Sequence, residues 1–324
     1  MKMTAEAKNN LSRLVLMIAV YVIFAVQIPS YYSSAGVSAL MDSAVLAGII
    51  AIGVGLTMIA GEMDLSVGSM AAFAGILSIK FFALGMVPAF LLAIVICAVL
   101  GAVQGWCIYR LNINSMVFTI GTLIAIRGLT LILSGEKTAL IPFSDIAKTD
   151  ILTNKLLIFT VPSLLLLLLV VAFDLFARRT LWGREIFAIG GGRNEARAAG
   201  VSLRRPTIMI FSMSAGLAGL AGALISIKTG SASPLGFDAV LLEAVTACLI
   251  GGISLSGGRG SIWGVVIGLF TIRFLVSGIA ALGAPFWMQS LATGALLIFV
   301  IIAEAIIRYV LRRRRFALAS QLSA

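Results

Sequence analysis

Long apolar runs follow one another along almost the whole chain, and they lack the two-residue alternation of a half-buried strand. Apolar windows fall near 12–28, 44–60, 67–84, 87–109, 114–133, 157–177, 206–228, 238–253, 260–280 and 287–307. Most approach the roughly 20 residues that an α-helix needs to cross about 30 Å of hydrocarbon. The pattern predicts an all-α polytopic membrane protein: about ten transmembrane helices with short hairpin connections, in one domain over 1–324. Two connections are longer than a hairpin requires. Ser134 to Lys155 mixes Gly135 and Pro142 with charges of both signs, and 178–205 carries seven arginines against Glu185 and Glu195. The first run follows Lys2, Lys8 and Arg13 as a secretory signal would. The Ser30-Tyr31-Tyr32-Ser33-Ser34-Ala35-Gly36 stretch after it lacks a cleavage pattern, so it reads as an uncleaved first helix.

Composition excludes a soluble enzyme. The chain is 60% hydrophobic and 11% charged, with a mean hydropathy of +1.12, whereas soluble domains are about a quarter charged. There is no histidine, and the three cysteines (Cys97, Cys107, Cys248) sit inside apolar runs without CxxC spacing. No metal site, disulfide framework or cofactor is therefore expected in this chain. The net charge of +11 is explained by where the cations lie. With the N-terminus in the cytoplasm, 17 of 24 basic residues fall on cytoplasmic connections: Lys2, Lys8, Arg13, Arg110, Arg178, Arg179, Arg184, Arg193, Arg197, Arg204, Arg205, Arg259, Arg308 and Arg312 to Arg315. Lys80, Lys137, Lys148, Lys155 and Lys228 fall outside, and Arg127 and Arg273 within spans. The positive-inside rule selects cytoplasmic termini, so the charge is a topology signal and no nucleic acid is implied.

Small residues recur at helical spacing in Gly260-x-x-x-Gly264-x-x-x-Gly268, in Gly101-x-x-x-Gly105 and at Gly216, Gly219 and Gly222. Such stripes let helix backbones approach closely in lipid, within one chain or between subunits. A local echo, G-x-x-x-L-S-x-G, links Gly61–Gly68 with Gly251–Gly258.

Four places carry candidate chemistry. Glu62 and Asp64 stand between spans with glycine on either side; Asp64 is expected to cap the next helix near Val67. The alternative reading makes Asp64, Ser66 and Gly68 part of a broken-helix gate. In the inner loop, Asn194 to Gly200 reads as N-cap, one helical turn and a C′ glycine, with Arg193 and Arg197 exposed. This turn suits docking of a soluble partner or contact with anionic lipid. Within the spans, Glu243 and Arg273 lie at similar depth and are expected to form a structural ion pair, which leaves Arg127 as a pathway-lining cation. The region Asn112-Ile113-Asn114-Ser115 leading into Phe118-Thr119 combines amide and aromatic groups beside a helix start, which suit a sugar or similar neutral polar solute or an ordinary helix cap. No nucleotide-binding P-loop occurs, so any ATPase is a separate polypeptide. An intramembrane enzyme would need a nucleophile and base that these scattered groups do not supply.

Four co-linear segments resemble the ribose-type, simple-sugar ABC transporter permease family. They are Gly61 to Ser69, Asn114 to Gly128, Phe187 to Val201 and Gly251 to Gly260. The third departs from the family pattern by one inserted residue, or by Gly192 in place of an asparagine. The resemblance implies a permease subunit in the bacterial inner membrane that pairs with a second permease copy or paralogue. It implies a cytoplasmic ABC ATPase and an extracytoplasmic sugar-binding protein as partners. It also implies that 178–205 is the coupling loop, with Gly190, Gly191, Arg193, Asn194, Glu195, Ala196, Arg197, Ala198 and Gly200 as the segment that meets the ATPase. An ion-coupled secondary carrier is the alternative, and such a carrier places titratable groups near the midplane.

Overall fold

The computed structural model describes the backbone of residues 5–322 and the side chains of residues 11–303, 305 and 306. Lys2 lies outside the described residues, as do the side chains of Lys8, Arg308 and Arg312 to Arg315. Twelve α-helices follow in order: α1 (Ala5–Gln27), α2 (Ser34–Ile59), α3 (Val67–Lys80), α4 (Met86–Leu111), α5 (Ser115–Ser134), α6 (Val161–Arg179), α7 (Leu181–Gly191), α8 (Arg193–Ala198), α9 (Arg204–Thr229), α10 (Val240–Ile250), α11 (Ile262–Ala281) and α12 (Phe286–Leu322). Seven are long and apolar enough to cross a membrane; the apolar part of α1, with α3 and α10, is shorter.

The spans expected at 67–84 and 238–253 are therefore not continuous helices. α3 has 14 residues and α10 has 11, about 21 and 16 Å at 1.5 Å per residue, too short for about 30 Å of hydrocarbon. Both breaks have local causes. Before α3, Gly61 adopts φ +75° and the chain runs without helix or strand through 62–66. Before α10, Gly230 closes α9 in the left-handed region, and Ser231–Ala232 pairs antiparallel with Ala139–Leu140 of the long loop. A turn at Ser233-Pro234-Leu235-Gly236 follows, closed by the Gly236 N–H to the Ser233 carbonyl at 3.2 Å. Proline favours the second position of such a turn and keeps the residue before it out of the helical region.

α2, α3, α9 and α10 form the buried centre; α4, α5 and α12 present largely exposed faces. The glycine stripes are spent within the chain. A side chain on Gly101 would collide with the Phe211 backbone, one on Gly222 with Ala71, and one on Gly268 with Ala247. These contacts set the α4–α9, α3–α9 and α10–α11 crossings. At one end of the bundle, Asp42 of α2 pairs with Lys228 of α9 and accepts from Thr160 Oγ1 (2.7 Å), the cap of α6. The opposite end carries Arg110, Arg178, Arg179, Arg184, Arg193, Arg197, Arg204, Arg205 and Arg259, at the ends of helices or on the connections between them.

Gly222→Leu should lower the thermal stability of the detergent-solubilised protein by about 1–3 kcal/mol or prevent folding, as overpacking does. Gly294→Ala, where nothing stands within 4 Å of the added carbon, should leave the melting temperature unchanged or raise it; equal effects of the two would refute close packing at Gly222.

Candidate functional site

The arginine-rich end gathers three sequence-distant loops. The α10–α11 loop reaches the end of α2 through the Gly258 N–H, which donates to the Ile59 carbonyl at 2.8 Å. Gly190, near the end of α7, lies against both Ile59 and Gly258, and a side chain there would strike backbone on both sides. A side chain on Gly257 would meet the backbone of Gly61 at 2.7 Å and the Gly190 carbonyl oxygen at 2.9 Å. Three main chains thus cross where Gly190, Gly257 and Gly258 have no room for a Cβ, while Gly61 needs glycine for its positive φ. This is why Gly61-x-x-x-Leu65 and Gly257-Gly258 lie in contact, although the short echo between their motifs carries no symmetry that the helices share. α2 is long and α3 short, whereas α10 is short and α11 long.

Across this crossing lies the non-helical stretch 62–66. Its main chain is held by side chains of α5: the Met63 N–H donates to Ser115 Oγ (3.2 Å), and the Leu65 N–H donates to Thr119 Oγ1 (3.1 Å). The Thr119 hydroxyl lies within 3.3 Å of the Met63 carbonyl oxygen. Ser115 and Thr119 are one helical turn apart, about 6 Å, which two residues of extended chain span. Ser115 and Thr119 are buried clamps on a neighbouring backbone. Asn114 caps α5, accepting from Met116 N–H at 2.9 Å, and Phe118 packs against the core.

Asp64 does not cap α3 in the expected way. It is fully buried, and its Oδ1 accepts from the Ser66 N–H (3.0 Å), the Ser66 hydroxyl (2.6 Å) and Gln104 Nε2 (3.2 Å) of α4. The carboxylate closes a tight turn two residues ahead and ties it to α4, while Ser66 takes the N-cap position without a side-chain cap bond. Gln104 gave no signal in the sequence, since one amide in an apolar helix has no periodic pattern.

α8 follows directly from the glycine crossing. Its N-cap is Gly192 and not the expected Asn194, because the helix starts two residues earlier than that cap implies, at Arg193. Gly200 adopts φ +82°, and the Val201 N–H returns to the Ala196 carbonyl at 3.0 Å, so the C′ glycine stop is present. Ala196 is buried against the protein, whereas Asn194, Glu195, Arg197, Ala198 and Ala199 are exposed. Arg193 pairs with Glu62 of the non-helical stretch; the arginine is 47% exposed and the glutamate 6%. Desolvation, and then the neighbouring Arg197 charge, push the Arg193 guanidinium below its usual value. Beside this pair, a cavity of about 280 Å³ is lined by Glu62, Met63, Asn114, Ser115, Arg193 and Leu255, among others.

Deeper in the bundle, Arg273 pairs with Glu243, joining α11 to α10. Arg127, which sequence left without a partner, pairs with Asp238 at 2.6 Å, just ahead of α10. Among the described residues, no group of three or more potential metal ligands occurs.

A protein-family model described as "Branched-chain amino acid transport system / permease component" matches residues 36–301. Among curated proteins, the inner membrane ABC transporter permease protein YjfF of Escherichia coli is 33% identical, covering 86% of this chain and 85% of its own. The Autoinducer 2 import system permease protein LsrD of Yersinia pseudotuberculosis is 32% identical, with 80% of each chain covered. The Xylose transport system permease protein XylH of Escherichia coli is 27% identical over 84% of this chain and 85% of its own. No solved structure matches.

The Glu62–Arg193 contact is open to a charge-swap cycle. Arg193→Ala should lower stability by about 1–3 kcal/mol, because it leaves a buried carboxylate without its cation. Glu62→Arg and Arg193→Glu should each destabilise and the double variant should recover part of that loss, and thermal melts of these three and the wild type measure it. Additive losses would show that the pair is not coupled.

Proposed function

The chain belongs to the ABC-transporter permease-component family, and from that premise we propose that it builds the membrane pathway of an importer for a simple sugar or related polyol. The observation that carries the sugar class is the near full-length likeness to a xylose-system permease, alongside an autoinducer 2 permease. The family description favours branched-chain amino acids as a second reading. A zwitterion would need an unpaired cation and anion in the pathway, and Arg127 and Asp238 already neutralise each other. Ion-coupled transport gains little support from the intramembrane carboxylates, since Glu243 and Asp238 are both paired with arginines and Asp64 is tied to Ser66 and Gln104.

In this reading the chain works as a single permease domain, without a cofactor of its own, beside a second permease copy or paralogue. A separate ATPase sits on the arginine-rich end and a sugar-binding protein on the other. The arginine-rich end is then cytoplasmic, in keeping with the positive-inside rule, and 178–205 is the coupling loop. Support for α8 as the ATPase contact comes from its two-sided build. A one-turn helix is unstable alone; here Ala196 and the Arg193–Glu62 pair hold it to the bundle, and Ala198 and Ala199 are left outward.

Two experiments test this reading. Ala198→Trp should give a well-expressed permease that accepts loaded binding protein but no longer stimulates ATP hydrolysis. Sugar-stimulated ATPase activity at the wild-type rate would place the coupling contact elsewhere. For orientation, Lys148→Cys should label from outside intact cells with an impermeant thiol reagent; labelling only after permeabilisation would reverse the topology.

A further inference from the structure

The two broken helices meet inside the membrane. The non-helical stretch 62–66 climbs along α5 from Ser115 to Thr119 before α3 begins. From the other side, the chain descends from Ala232, beside Gly75, to Phe237, beside Gly68. A methyl on Gly68 would stand 3.0 Å from the Phe237 carbonyl oxygen and 3.9 Å from Asp238 Cα. Gly75 and Gly68 are seven helical residues apart, about 10 Å, so the descending chain covers that depth without a helix. α3 and α10 therefore both start in the interior and run to opposite ends of the bundle.

The descending stretch is not enclosed. Ser233, Leu235, Gly236, Asp238 and Ala239 are all exposed. In the Arg127–Asp238 pair the side chains are 37% and 45% exposed, and Arg127 lies 12 residues into α5, about 18 Å along it. Its Nε is buried without an acceptor, so the guanidinium is not locked into a closed network. Hydrocarbon does not tolerate exposed irregular backbone or a half-exposed ion pair at such depth; water or a polar solute does. We propose that Arg127 and Asp238, with the non-helical stretch 233–239, form a water-lined subsite in the membrane interior that takes a neutral polyhydroxylated solute. Hydroxyl groups are donor and acceptor at once, so adjacent hydroxyls of one solute accept from the guanidinium and donate to the carboxylate while the pair stays intact. Broken helices with polar groups at the break are how membrane proteins place such sites. The solute class rests on the sugar reading above; the water-lined location does not.

Ala239→Cys in a Cys107→Ser background, with Cys97 and Cys248 left buried, tests both. A charged, membrane-impermeant thiol reagent should modify Ala239→Cys about tenfold or more faster than Ile124→Cys on the exposed side of α5, because the reaction needs a hydrated thiolate. Equal, slow modification would overturn the water-lined site. Saturating D-xylose, D-galactose or myo-inositol, used as probes, should slow the modification by about twofold or more for at least one of them, with L-leucine inert. Protection by leucine alone, or by no probe, would overturn the solute class. The double variant Arg127→Met with Asp238→Leu leaves no unpaired charge; it should keep the fast modification and lose the protection. Protection retained in that variant would remove the pair from the site. Modification is read without ATP or partners, so its failure stands apart from the outcome of Ala198→Trp.

Discussion

Every main-chain N–H and C=O within hydrocarbon has to find its partner inside the protein, and the rest of this structure follows from how two segments meet that demand. A continuous helix meets it internally. The stretches 62–66 and 231–239 leave the helical form, and each is served differently. The first borrows hydroxyls from α5, Ser115 and Thr119, spaced so that one turn of helix matches two residues of extended chain. The second is held by pairing Ser231–Ala232 with the long loop at 139–140, then turns at Pro234 and Gly236. α5 is the helix that matters to both, since it carries the clamps on one stretch and Arg127 on the other.

The same constraint sorts the charges. A lone charge in the interior is costly, and the intramembrane arginines are each answered by a carboxylate from another element: Arg273 by Glu243 and Arg127 by Asp238. The two pairs differ in setting. Arg273 and Glu243 are 14% and 19% exposed and join α10 to α11, as a structural pair does. Arg127 and Asp238 sit beside broken helix and open outward, which a purely structural pair has no reason to do.

Much of the fold was legible because its signal is hydropathy, which is local. The ten apolar windows correspond to ten helices, and the two long connections lie at opposite ends of the bundle. The breaks were harder to read, because α3 and α10 owe their short lengths to tertiary partners: Gly68 against Phe237, and the clamps on 62–66. The turn residues Gly230, Pro234 and Gly236 stand in plain view, yet nothing local tells a loop at the surface from one that descends beside Gly75. Pairing was half legible. Glu243 and Arg273 lie at similar distances from one turn, whereas Arg127 and Asp238 are 111 positions apart with no shared turn to count from. Asn194 was misplaced as a cap by two residues, since glycine at 192 supplies a conformation that the sequence offers at three consecutive positions.

One stretch of five residues joins what would otherwise be separate sites. Glu62, at its start, pairs with Arg193 of α8; Ser66, at its end, precedes Gly68, which touches Phe237 and Asp238. Between them the chain is gripped by α5 at Met63 and Leu65, so a displacement at one end is not free to dissipate as it would in an unheld loop. Contiguity alone is a route; coupling requires an element with two arrangements that both ends can bias. The Glu62–Arg193 pair has the make-up of such an element. Its carboxylate is fixed in the bundle, its guanidinium stands half in water, and desolvation together with the Arg197 charge works against keeping the cation there. A partner seated on Ala198 and Ala199 would bear on that balance directly, and whatever shift it produced at Glu62 would reach the start of α3, where the second broken helix rests.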